Sequence, residues 1–157
     1  GFLNAFPAVI GVIAMILWAR HSDRTKERSW HVIGACLLAV AGLIYAGNVS
    51  TLFTVMLALT LVTVGISASK PPLWSMPTLF LSGPAAAAGI AAINSIGNLG
   101  GFVGPMMIGV IREQTGSYSW GLYFVAGLLA LSALVVVILS ARANKSPTAE
   151  LPHPHTH

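Results

Sequence analysis

The stretch GPAAAAGIAAINSIGNLGGFVGPMMIG, residues 83–109, decides how this chain must fold. It carries no charge and exceeds the ~20 residues a helix needs to cross the hydrocarbon core of a bilayer. Small residues crowd it, and Asn94 and Asn98 stand one helical turn apart. On a helical wheel Ala87, Ala91, Asn94, Gly97, Asn98, Gly101 and Pro105 share one face. Ala92, Ile96, Leu99, Val103, Met107 and Val110 share the opposite one. Bulky side chains suit lipid tails, whereas a Gly/Ala stripe admits a second helix closely and its asparagines seek polar partners there. The expected helix has a lipid side and a side turned toward protein or a cavity.

Composition agrees. The chain is 55% hydrophobic and 8% charged, with mean hydropathy +0.81, against roughly 25% charged residues in a soluble domain. So little charge could not cover the surface of a soluble domain of this size. The formal net charge of +4 is no nucleic-acid footprint, because the basic residues sit at the ends of apolar runs and form no groove-sized patch. The single Cys36 excludes an intrachain disulfide and suits a small packing residue. The chain starts Gly1-Phe2-Leu3 without a basic segment or a cleavage site leading into a soluble domain, a poor match to a signal peptide. It reads as a truncation, the C-terminal part of a larger membrane protein.

Outward from the opening stretch, five apolar runs are expected to form transmembrane helices at about 1–19, 30–47, 52–81, 85–111 and 120–141. No run sustains two-residue alternation, which argues against a barrel. The connectors are RHSDRTKER (Arg20–Arg28), Asn48-Val49-Ser50, Ser82-Gly83-Pro84 and Arg112–Ser119. The second of these matches a glycosylation sequon but would hold its acceptor too near the membrane. Placing the first connector in the cytoplasm puts Arg20, Arg24, Lys26, Arg28, Arg142 and Lys145 on that side, against Arg112 alone on the other. The positive-inside rule then puts the C-terminus in the cytoplasm. Residues 142–157 form a polar, Pro-rich tail expected to be disordered. Its His153, His155 and His157 lack an ordered scaffold for a metal, and no cofactor or metal site is expected.

Three features could carry function. Asn94 and Asn98 read equally as hydrogen-bonding groups for a polar substrate or as glue between helices. Lys70 is the only charge inside any of the five runs, and it opens the sequence Lys70-Pro71-Pro72 with Trp74 one turn on. Prolines there should kink or unwind the helix, and broken helices point to the binding sites of secondary transporters. An intramembrane cation suits an anionic substrate; the alternative is a lysine that snorkels to the interface or pairs elsewhere. Asp23 and Arg24 with Arg28 could form a relay of charges that breaks and re-forms as helices rock, or could simply be a solvated loop. HExxH, CxxC, GxSxG and phosphate-binding glycine spacings are all missing from the sequence, which disfavours a membrane-embedded enzyme. The four acidic residues, Asp23, Glu27, Glu113 and Glu150, all lie outside the apolar runs, so a proton-coupling carboxylate would have to lie in another part of the protein.

The run KPPLWSMPTLFLSGPAAAAGIAAINSIGNLGGFVGP (Lys70–Pro105), followed by GxxREQTGSYSWGLY (Gly109–Tyr123), resembles the tenth to twelfth helices of the major facilitator superfamily. More narrowly it is similar to the anion:cation symporter family of bacterial galactonate, glucarate, tartrate and phthalate permeases. ARHSDRTKER (Ala19–Arg28) resembles the superfamily signature between helices eight and nine, with Ala19 where a glycine is usual. The resemblance implies an all-α, twelve-helix transporter of the bacterial inner membrane working by alternating access, of which this chain would supply helices eight to twelve. It implies that Trp74 and Asn94 contact a small organic anion, with Ser75, Thr78, Ser95 and Asn98 as weaker candidates. Lys70 matches no family position and rests on the physical argument alone. Proton symport, a lipid-bilayer setting and a missing N-terminal half as partner follow as expectations, as does inactivity of the fragment alone. A structural or assembly subunit of the membrane is the competing class.

Overall fold

The computed structural model describes residues 2–76 and 82–143, with side chains from 5 to 142. Five helices account for nearly all of them: α1 (Phe2–Thr25), α2 (Arg28–Ala46), α3 (Leu52–Ser75), α4 (Gly83–Thr115) and α5 (Tyr118–Ala143). No strand occurs among the described residues. Each helix is long and apolar enough to cross a membrane, and an α-helix satisfies its backbone groups internally, as a segment in lipid must.

The helices outrun the apolar segments that announce them. α1 continues through His21, Asp23 and Arg24, so the first polar connector shrinks to Lys26 and Glu27. Lys26 makes that turn possible by taking a positive φ of 57°. α4 likewise carries Arg112 and Glu113 within its last turn, leaving only Gly116 and Ser117 before α5. Gly116 ends α4 in the left-handed region and donates its N–H to the Arg112 carbonyl, a conformation glycine adopts at no steric cost. Charge does not end a helix. Lys, Arg and Glu are good helix formers, and only the hydrocarbon core excludes them.

α3 departs further from expectation. It runs unbroken through Pro71 and Pro72 to Ser75 instead of unwinding at Lys70. Proline's fixed φ is itself helical; what it removes is two N–H donors, here those that would reach the Ser67 and Ala68 carbonyls. The helix closes one turn later, where the Met76 N–H reaches the Leu73 carbonyl at 3.3 Å. The second expected break, at Pro77, lies outside the described residues, as does the tail beyond 143.

Close packing joins α1 to α3, α3 to α2, α2 to α5, and α5 to α4, with only a slight contact between α1 and α2. The neighbour order across the bundle is therefore α1, α3, α2, α5, α4. The tightest seam is α2 against α3. A Cβ added at Gly65 would lie 2.6 Å from the Ala35 carbonyl oxygen and 2.6 Å from the Ala39 nitrogen. Ala35 and Ala39 are buried, and a Cβ added at Gly42 would lie 2.9 Å from Val62 of α3, so this seam is the small-residue packing expected of helices in lipid. Val32, Cys36 and Ala133 form a small core between α2 and α5, covered by Met76 and Val136. At the opposite end, Ser119 donates its hydroxyl to the Gly47 carbonyl at 2.8 Å.

Candidate functional site

The expected site residues fall in three places. The first is the end of the bundle where α1 finishes, α2 begins and α3 finishes. Arg28, in the first turn of α2, reaches back to Asp23 with Nη2 3.9 Å from Oδ1. Its Nη1 donates to the Ser75 carbonyl at 3.4 Å. One guanidinium therefore touches all three helices. Asp23 is largely exposed, and so loose an ion pair in contact with solvent contributes little stability. Arg24, one residue on, is exposed and makes no ion pair among the described residues.

The second place is the last turns of α3. Lys70 is exposed and Trp74 is 38% exposed; four residues apart, they share a helix face. Ser75 donates its hydroxyl to the Pro72 carbonyl at 2.8 Å. Lys70 lies five residues before Ser75, about 7–8 Å along the axis at ~1.5 Å per residue. It therefore sits close to the basic end of the bundle. Thr78 lies outside the described residues.

The third place is α4. Asn94, Ser95 and Asn98 are exposed, as is the entire stretch of residues 91–100. A Cβ built at Gly97, Gly100, Gly101 or Gly104 would meet nothing within 4 Å. The small-residue stripe is therefore uncovered by the rest of the described chain. Its asparagines project amide donors and acceptors from an otherwise apolar surface. The structure does not bring Trp74 and Asn94 together: α5 and α2 stand between their helices in the neighbour order.

Two open crevices lie elsewhere. One of about 360 Å³ is lined by Pro105, Ile108, Gly109, Arg112, Glu113 and Tyr118, where the Arg112 guanidinium stacks 4.2 Å above the Tyr118 ring. An apolar one of about 410 Å³ runs between Val40 and Ile44 of α2 and Tyr123, Ala126, Gly127 and Ala130 of α5. Neither includes a residue expected from sequence to bind substrate.

Sequence reasoning passed over one cluster entirely. Beside Arg28, His21 of α1 and His31 of α2 approach to 2.7 Å between Nδ1 and Nε2. Trp18 packs edge-on to the His31 ring at 5.2 Å. The signal was the two-residue turn between α1 and α2, which sets the last turn of one helix beside the first turn of the next. Reading residues 20–28 as a polar connector hides that juxtaposition.

Residues 1–156 match the family model described as Major Facilitator Superfamily. Two proteins of Agrobacterium vitis named for tartrate transport are 65% and 64% identical over 155 residues. Those alignments cover 99% of this chain but 36% and 34% of the relatives. A protein of Acinetobacter baumannii named for quinolone resistance transport is 34% identical over 148 residues, covering 94% of this chain and 34% of that protein. The chain spans about a third of the length of the curated relatives it matches. No solved structure is a significant match.

Proposed function

The chain belongs to the major facilitator superfamily, and from that premise we propose that it is the C-terminal part of a secondary active transporter for a small organic anion. The substrate class is a sugar acid or similar carboxylate, carried with protons across the bacterial inner membrane by alternating access. The carrying observation is the 65% identity, over almost the whole chain, to a protein named for tartrate transport. Within the anion:cation symporter family, such a substrate presents carboxylates and hydroxyls. Trp74 and Asn94 are the proposed contacts: a flat apolar face with one N–H, and an amide that both donates and accepts. Lys70 supplies the complementary charge, and Ser75, Thr78, Ser95 and Asn98 are secondary contacts. Asp23, Arg24 and Arg28 act at the gate, where Arg28 can exchange its hold on Asp23 and the Ser75 carbonyl as α1, α2 and α3 shift. The basic end, including the C-terminus, faces the cytoplasm.

The rest of the substrate cavity is placed in the part of such a transporter that this chain does not cover, and it closes over α4. No cofactor or catalytic group is required, so the protein is not an enzyme. One observation favours a second reading, a non-transporting structural or assembly subunit: the bare Gly/Ala stripe of α4 would serve equally as a surface for another membrane protein.

Uptake of labelled tartrate into proteoliposomes containing the full-length protein separates the two. Accumulation that rises with an inward proton gradient, and is competed by other hydroxy acids, is the expected result. Failure to accumulate any dicarboxylate or sugar acid, with the protein correctly folded, overturns the proposal.

A further inference from the structure

The histidine cluster beside the gate has a hydrogen-bond geometry that restricts where protons can sit. His31 is 7% exposed, and both of its ring nitrogens are engaged. Nδ1 lies 2.7 Å from the Glu27 carbonyl oxygen. A carbonyl has no hydrogen to give, so Nδ1 carries a proton in every state of the ring. Nε2 lies 2.7 Å from His21 Nδ1, and in neutral His31 it is an acceptor. The neutral pair thus has one arrangement, His21 Nδ1–H donating to His31 Nε2. His21 is exposed, and no hydrogen bond from the described residues occupies its Nε2.

We infer that His21 and His31 form a single-proton site that clasps the α1–α2 junction. One proton enters at His21 Nε2 and leaves the inter-ring hydrogen bond intact, now charge-assisted. That same charge state can also hold its shared proton on His31 Nε2, donated back to His21 Nδ1. A second proton puts a hydrogen on both facing nitrogens, so the rings must part. Parting them removes one of the contacts between the end of α1 and the first turn of α2, leaving the Trp18 hydrogen bond to the His31 carbonyl and the Asp23–Arg28 pair.

Basic residues outnumber acidic ones around the pair. Arg20, Asp23 and Arg24 are on α1, Lys26 and Glu27 form the turn, and Arg28 is on α2. Of the helices packed against these, α3 contributes Lys70 and α5 contributes Arg142. Among the described residues the one ion pair of this set is Asp23–Arg28, so no carboxylate neutralises either imidazolium. Trp18 fixes the geometry from the other side, donating its indole N–H to the His31 carbonyl at 3.0 Å.

The inference does not depend on the protein being a transporter. It is tested by nitrogen NMR of the ¹⁵N-histidine-labelled full-length protein in nanodiscs across an acid titration. A coupling across the hydrogen bond should link His21 Nδ1 to His31 Nε2 in the neutral and singly protonated states, and be lost on entry of the second proton. His31 Nδ1 should report a bound hydrogen throughout. In His21→Ala the coupling should vanish and His31 should take up its proton in a single step. A coupling absent at every pH, or one that survives double protonation, overturns the site. So does a His31 titration unchanged in His21→Ala. Should that variant misfold, the wild-type titration alone decides.

Discussion

At the scale of single residues, Trp74 and Asn94 carry the binding proposal, and they make different demands. Asn94 stands exposed on an apolar helix face, where an amide without a partner is costly once the surface is covered. A substrate carboxylate or hydroxyl would supply that partner. Asn94→Ala in the full-length protein should therefore lower uptake, by up to about a hundredfold for the ~1–3 kcal/mol of an unpaired buried polar group. Trp74→Ala should do the same by removing the stacking face, with both variants reaching the membrane at wild-type levels. Normal uptake by either in proteoliposomes would remove that residue from the site. The sequence could place both residues in apolar runs and choose the face of Asn94, because periodicity fixes a face. It could not say which helix each face meets. The His21–His31 pair was out of reach for a related reason: ten positions separate the two, and only the two-residue turn at Lys26 and Glu27 makes them neighbours.

At the scale of helices, two glycines of the same chemistry should behave oppositely. Gly65 is pressed against the α2 backbone, and an added side chain would strike the Ala35 carbonyl oxygen and the Ala39 nitrogen. Backbone cannot swing aside as a side chain can, so Gly65→Val should destabilise the bundle by at least the ~1–3 kcal/mol typical of overpacking. Thermal unfolding of the full-length protein in detergent should show a lowered midpoint. Gly101 meets nothing within 4 Å, so within these five helices Gly101→Val has nothing to displace. If the stripe is covered in the complete transporter, the same substitution should reduce uptake while leaving the five-helix chain as stable as before. Equal stability and equal uptake would show that nothing packs there. Both glycines look alike in sequence, each a small residue within an apolar run. Helix existence was legible from the length of those runs. The fate of Lys70-Pro71-Pro72 was not, because proline removes hydrogen bonds without forbidding helical φ, and continuation depends on what the flanking turns pack against.

At the scale of the molecule, the neighbour order α1, α3, α2, α5, α4 sets a limit on function. Trp74 on α3 and Asn94 on α4 sit on helices separated by two others, and α4 has no residue buried by the described chain. A pocket that uses both residues needs further protein, or a rearrangement of α4, to close it. Basic residues collect at one end, with Arg20, Arg24, Lys26 and Arg28 around the α1–α2 turn, whereas Arg112 lies at the other end of α4. That asymmetry was legible from sequence because it depends only on counting charges between runs. Closure was not legible, because it depends on contacts these five helices do not make among themselves. The chain alone, reconstituted in proteoliposomes, should therefore neither accumulate nor bind tartrate. Expression together with the remaining two thirds of a full-length relative, as a separate polypeptide, should restore uptake if the missing surface is what α4 lacks. Restoration should disappear with Gly101→Val, which blocks close approach to the stripe, and with Asn94→Ala, which leaves approach open but removes the amide. Tartrate uptake by the five-helix chain on its own would show that α3 and α4 can build the site unaided, and would overturn the placement of the cavity's other half in the part not covered here.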